Sequence, residues 1–400
     1  MQSGGEKRAL SVFLLFCPIF LVSSILLSGV NDARKQDFAA YWQAGHMVLS
    51  GQNVYDSTLW IAVRNQEGTA LHSEPTFQYP LPFAILFSPL ALLPVQFAYM
   101  LSIFLSQAAL LASLLILLSF YPARSGYLEL MVVAGIFLFR PTFSVISNGQ
   151  ILHLLLLIVC TSIWLFHRER WFLGGFILCV LSLKPSIGIP MLVLIGLWLL
   201  SRKQWRAILG MLFGGLVMIA MGMLVNTRWV LDYVQVGGNA FSKYYGMHPT
   251  LWGFVDKVFV VNSVSVPIGF VCVALVLAVE VYIFWWNQPN MEAFPAFATI
   301  VPAGLLIAPY SWNYDQILLA VSILFLIIII SSKQGTVKAA LFLFGMVFLS
   351  IGLVVIAYWL GHDVWSFLNS FVVWILSLYA VSRTAITNAN ESKAAIVNAR

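Results

Sequence analysis

The chain has 400 residues, of which 61% are hydrophobic and only 9% charged, and it carries a formal net charge of +6. That composition excludes a water-soluble globule, whose charged share is about a quarter. The apolar runs lack the period-two alternation of a transmembrane barrel, and the basic residues sit in short clusters beside apolar runs rather than in a phosphate-tracking patch, which argues against nucleic acid as a partner.

What remains is an all-α polytopic membrane protein, because backbone groups in lipid are satisfied within helices of about 20 apolar residues. Residues 10–30 form the first such run, after Lys7 and Arg8. The run is too long for a signal-peptide core and lacks a convincing small-residue cleavage site, so it reads as an uncleaved span with its start inside.

Residues 31–93 then form a long outer loop that is partly ordered. Phe38, Tyr41, Trp42, Gly45, Val48 and Leu49 recur at helical spacing, with Asp37 at the N-cap position and Gly51 just past the end. This pattern predicts a short amphipathic helix at the outer interface. Asp37 is the leading candidate for a general base, and the N-cap role is the competing and compatible reading. Asp32 ranks second, while Asp56 and Glu74 look like turn and cap residues. The stretch from Tyr79 to Pro94 is too short and proline-rich for a comfortable span. It reads as a re-entrant or interface-hugging element, with a full span as the alternative.

Further spans are expected at 94–120, 128–147, 150–166, 171–184, 186–200, 206–225, 264–286, 294–309, 314–331, 337–360 and 364–382, roughly 12 in all. Counting from an inner start, Arg124, the 167–170 and 201–206 clusters, Lys333, Lys338 and Arg383 fall on the inner side, as the positive-inside rule requires. Arg34, Lys35, Lys184, Lys243 and Lys257 fall outside. Lys184 precedes a proline between two apolar runs, where a charge is costly unless paired or snorkelling. Arg140 lies within the third span and calls for an anionic or backbone partner.

Other polar groups collect at the same outer ends. Asn148, Gly149 and Gln150 make a turn able to cap helices or to bond sugar hydroxyls or a phosphate, with His153 one helical turn on. A second outer loop, 226–263, carries Lys243, Tyr244, Tyr245 and His248. Tyr310, Trp312, Tyr314 and Asp315 suit stacking on a sugar face as well as an interfacial aromatic belt. His362 and Asp363 are weaker members of the set. Residues 384–400 read as a polar inner tail that frays. The four cysteines, Cys17, Cys160, Cys179 and Cys272, lie in apolar runs without metal-ligand spacing. No nucleotide-binding loop, zinc-protease motif or dinucleotide fingerprint occurs.

The stretches DFAAYWQAGHMVLSGQNVYD (37–56) and FQYPLPFAILFSPLALLP (77–94) resemble the paired first-loop motifs of glycosyltransferase family 87. The likeness continues through NGQ (148–150), LKPSIGIPMLVL (183–194) and PYSWNYD (309–315), and so covers most of the chain in order. The resemblance implies a single GT-C type membrane module that takes a sugar from a polyprenyl-phosphate donor, mannose being the best-known cargo of the family, with a first-loop aspartate, here Asp37, as base. Family members often carry a histidine near the SW motif, where this chain has Asn313, Tyr314 and Asp315.

The expected function is therefore inverting transfer of a hexose or pentose from a polyprenyl-phosphate donor to a lipid or glycan acceptor. The site would face the periplasm or exterior from a bacterial plasma membrane. Lys184 is the expected phosphate contact, with Arg140 and Lys243 behind it and Tyr79, Gln150, Tyr310, Trp312, Asp315 and His248 around the substrate. The scheme calls for no cofactor and no protein-bound metal. The alternative reading is a transporter or flippase of lipid-linked sugars, which would favour midplane polar residues and repeated halves.

Overall fold

The computed structural model describes residues 2–69, 76–121, 126–244, 248–259 and 262–398. Glu74, Arg124 and Tyr245 lie outside the described residues. Every regular element within them is helical. The helices are α1 (Gln2–Val30), α2 (Phe38–Leu49), α3 (Ser57–Glu67), α4 (Leu81–Ala91), α5 (Val95–Leu118) and α6 (Gly126–Leu138). They continue as α7 (Arg140–Asn148), α8 (Leu152–His167), α9 (Trp171–Leu178), α10 (Pro185–Ser201), α11 (Trp205–Met223) and α12 (Trp229–Tyr244). The last are α13 (Leu251–Val258), α14 (Asn262–Tyr282), α15 (Ala293–Ile307), α16 (Ala320–Gln334), α17 (Thr336–Leu360) and α18 (Phe367–Asn398).

Each expected apolar segment is helical. Among the described residues, six helices are long and apolar enough to cross a bilayer by length and composition, and the bent pair α6–α7 makes a seventh if taken as one span. The helices of 152–167, 171–183, 185–201 and 293–307 contribute apolar lengths of 17 residues or fewer. At 1.5 Å per residue such lengths fall short of the roughly 30 Å hydrocarbon core. Large apolar side chains on α11, α14 and α17, among them Leu212, Leu216, Phe270, Leu275, Leu341 and Phe348, are exposed. They suit contact with lipid. By contrast α15 is buried almost all round, as are the first turns of α16, so these two form the centre of the bundle.

Two breaks in the bundle share one local cause. Arg140 precedes Pro141, and Lys184 precedes Pro185. Proline lacks an N–H and crowds the preceding turn, which ends or kinks a helix there. The chain bends by 60° between α6 and α7, and Lys184 is non-helical (φ −122°, ψ 77°) between a 3₁₀ turn at Cys179–Leu183 and α10. Arg140 is thus at a helix start, not in mid-span as the continuous 128–147 reading placed it.

The first loop folds onto the bundle. In α2, Phe38, Ala39, Tyr41, Trp42, Gln43, Ala44, Gly45 and Met47 are all buried. Gly45 lets α4 approach so closely that a Cβ there would stand 3.0 Å from the Ala91 Cβ. At 11 residues α4 is too short to span and instead covers α2. Asp56 does cap its helix, accepting from Thr58 N at 2.8 Å and Leu59 N at 3.1 Å. Deeper in the bundle, Glu280 of α14 accepts from Thr299 Oγ1 of α15 at 3.0 Å and Trp374 Nε1 of α18 at 2.7 Å. A carboxylate that the apolar pattern concealed thereby ties three helices together. The helix α18 runs on to Asn398 through the tail expected to fray, where alanines and other helix-compatible residues recur.

Candidate active site

Chain breaks, first-loop elements and the 309–315 stretch converge on one cavity of about 620 Å³. Its wall includes Asp37, Tyr41, Tyr79, Arg140, Ser144, Asn148, Lys184, Lys243, Tyr310, Trp312, Asn313 and Tyr314. Of the residues singled out in the sequence, Asp37, Tyr79, Arg140, Lys184, Lys243, Tyr310 and Trp312 are therefore brought together. Gln150, Asp315 and His248 are at most 4% exposed and stand one layer behind that wall.

Asp37 has helical backbone angles (φ −56°, ψ −28°) and its side chain makes no cap hydrogen bond. The cap reading is thereby overturned. Its Oδ2 instead accepts from Gln150 Nε2 at 2.5 Å. Asp32, the second-ranked base, is exposed and occupied as a cap, accepting from Arg34 N at 3.1 Å.

Behind Asp37 runs a chain of hydrogen bonds. The Tyr41 hydroxyl donates to Gln150 Oε1 at 2.6 Å and lies 3.1 Å from the Tyr79 hydroxyl. Burial pushes both phenols well above the ordinary tyrosine value, with the Asp37 charge adding to the effect. Both therefore keep their protons. Sequence reading placed Tyr41 among the apolar residues of α2; its i+4 spacing from Asp37, which puts the two on one helix face, was the available signal.

Lys184 lies over the ring of Tyr314, 4.5 Å from its centroid, and its Nζ is 2.5 Å from Asp315 Oδ1. The other Asp315 oxygen accepts from Trp312 N at 2.8 Å. Arg140 is half-buried, donates to Ser144 Oγ, and acts electrostatically on Asp363. Burial raises the Asp363 carboxyl to about 6, against the pull of the Ser366 hydroxyl, Arg140 and Asn313. His248 packs edge-on to Trp312 with ring centroids 4.2 Å apart, and burial lowers its imidazole to about 4, so it is neutral at pH 7. His153 is held away from the cavity, 2.6 Å from Ser106 Oγ.

The cavity thus combines a carboxylate, two cations at proline breaks, a third cation on α12, and aromatic faces. Such a set can accept a hydroxyl proton, hold an anion and stack on a sugar ring.

A model of glycosyltransferase family 87 matches residues 77–309 of the chain. The matched region begins after the 37–56 stretch and takes in 77–94, the NGQ turn and 183–194. A protein of Mycobacterium tuberculosis (strain CDC 1551 / Oshkosh), the polyprenol-phosphate-mannose-dependent alpha-(1-2)-phosphatidylinositol pentamannoside mannosyltransferase, is 23% identical over 301 residues, which cover 70% of this chain and 68% of that relative. With the family matched over more than half its length and its apolar helices built to cross a bilayer, this multi-pass membrane protein belongs to glycosyltransferase family 87.

Proposed function

We propose that the chain transfers a sugar from a polyprenyl-phosphate donor to a hydroxyl of a lipid or glycan acceptor, with inversion at the anomeric carbon. The acceptor oxygen bonds to that carbon as the carbon–oxygen bond to phosphate breaks. The hydroxyl proton passes to Asp37, and the polyprenyl phosphate leaves with an added negative charge. The observation that carries this reading is the Asp37 carboxylate, which makes no helix-cap hydrogen bond and lines the same cavity as three cationic side chains. The name of the mycobacterial relative, dependent on polyprenol-phosphate-mannose, supports the donor class. A hexose is the first sugar to test, mannose ahead of others.

The pairing of Lys184 with Asp315 changes which cation meets the donor. A lysine already held 2.5 Å from a buried carboxylate presents a neutral pair to the cavity. Arg140 and Lys243 then become the phosphate contacts, Arg140 at the start of α7, where the helix dipole also favours an anion. Tyr310 and Trp312 offer faces to the sugar. The outer ends of the spans in the positive-inside count carry these residues, so the site opens to the periplasmic or exterior face of a bacterial plasma membrane.

The test is transfer from radiolabelled polyprenyl-phosphate sugars to membrane lipid extract by purified protein, wild type against Asp37→Asn. Loss of turnover by about 10²- to 10⁴-fold, the range of general-base catalysis, with donor binding retained, supports the reading. Full activity in the variant sinks it.

A further inference from the structure

We infer that Gln150 is a positioning residue, itself oriented by Tyr41 and Tyr79, that sets the orientation of the Asp37 carboxylate. The inference rests on Asp37 being the base and names the device that makes it one.

A glutamine amide has a donor end and an acceptor end, and only its hydrogen-bond network decides which way it faces. Here the network leaves one choice. Gln150 faces the Asp37 carboxylate on one side, at 2.5 Å, and the Tyr41 hydroxyl on the other, at 2.6 Å. With the amide reversed, its oxygen would meet a carboxylate oxygen, lone pair against lone pair. The Tyr41 proton therefore goes to Gln150 Oε1, and the Tyr79 hydroxyl, 3.1 Å away, supplies its own proton to Tyr41. The chain runs one way, Tyr79 to Tyr41 to Gln150 to Asp37, and delivers an amide N–H to the carboxylate.

Its members come from three separate pieces of chain. Tyr41 sits on α2, Tyr79 precedes α4, and Gln150 follows the left-handed Gly149 that ends α7. Gln150 is 3% exposed and Tyr41 1% exposed, so the bond between these two is shielded from water. A carboxylate held this way keeps its plane fixed against the cavity. Other charged and titratable groups near it include Asp315, paired with Lys184, and Tyr314, with Arg140 and Lys243 lining the same cavity.

The experiment measures kcat and donor KM of the purified full chain for wild type, Gln150→Leu, Gln150→Glu, Tyr41→Phe and Asp37→Asn. Gln150→Leu is expected to lower kcat by about 10- to 100-fold, the scale of a misplaced reacting group, with donor KM within about twofold. Gln150→Glu sets a carboxyl against the Asp37 carboxylate in place of an amide N–H donor and lowers kcat at least as far. Tyr41→Phe leaves Gln150 in place but releases its amide, giving a smaller fall in kcat at unchanged donor KM, and keeps the test open if the Gln150 variants fold poorly. A donor KM that rises along with the fall in kcat in Tyr41→Phe and both Gln150 variants overturns the inference, since a general disturbance of the cavity would produce that result. So does wild-type kcat in Gln150→Leu alongside an inactive Asp37→Asn, which leaves the base assignment standing. An active Asp37→Asn removes both.

Discussion

Lys184 Nζ lies 2.5 Å from Asp315 Oδ1, and the two side chains are 4% and 0% exposed. The pair joins the proline break before α10 to the 3₁₀ turn at Asn313–Leu319. It thereby fixes two walls of the cavity relative to each other.

Breaking such a pair from one side leaves an uncompensated buried charge. Lys184→Met or Asp315→Leu alone is expected to cost about 3–5 kcal/mol, whereas the double variant recovers most of that loss. Thermal unfolding of the detergent-solubilised protein reads the difference. Additive losses in the double variant would show that the pair does not carry the stability assigned to it.

Arg140 and Asp363 predict a pH dependence of donor binding. The Asp363 carboxyl, raised to about 6 by burial, is charged above that pH and neutral below it. A phosphodiester keeps one negative charge across the same range. As pH falls through about 6, Arg140 loses its counter-charge and attracts the donor phosphate more strongly, so the donor KM is expected to fall. Asp363→Asn should flatten this response, and Arg140→Ala should raise donor KM and abolish it. A charge-assisted contact of about 1.5–3 kcal/mol corresponds to a loss of roughly 10- to 150-fold in kcat/KM. A pH response that persists in Asp363→Asn would refute the assignment.

Gly149 couples the end of α7 to α2. It has φ +63°, and a Cβ there would stand 2.7 Å from the Phe38 Cβ. Gly149→Ala therefore meets about 1–2 kcal/mol of left-handed strain and about 1–3 kcal/mol of overpacking. Because Phe38 adjoins Asp37 and Gly149 adjoins Gln150, kcat should fall along with the unfolding temperature. A variant with unchanged melting and turnover would show that the close approach is not needed.

Much of this architecture could be read along the chain. Hydropathy marks each apolar helix, because the free energy of placing a side chain in lipid is summed locally over about 20 residues. The break at Lys184 was written in the proline that follows it, and the turn at Gly149 in the need for a left-handed residue, whereas Pro141 was passed over and 128–147 read as one span. The same residues also placed polar groups at one set of helix ends. The number of crossings is less legible, since runs of 13 to 17 residues such as Trp171–Leu183 and Pro185–Ser201 are apolar but lie at or below the lower end of the length that spans a bilayer.

Residue type and local position thus determined that the protein is an all-helical membrane protein with a polar end. Only the tertiary structure decided which polar group meets which. Asp37 is 113 residues from the Gln150 that holds it, and Lys184 is 131 from Asp315. Apolar helices carry nearly interchangeable hydropathy patterns, so no local rule states which two become neighbours. That choice is made by side-chain packing across the assembled bundle, such as Gly45 against Ala91 and Gly149 against Phe38. It put the Asp37 carboxylate on the wall of the cavity beside Gln150 and joined Lys184, on the same wall, to the buried Asp315.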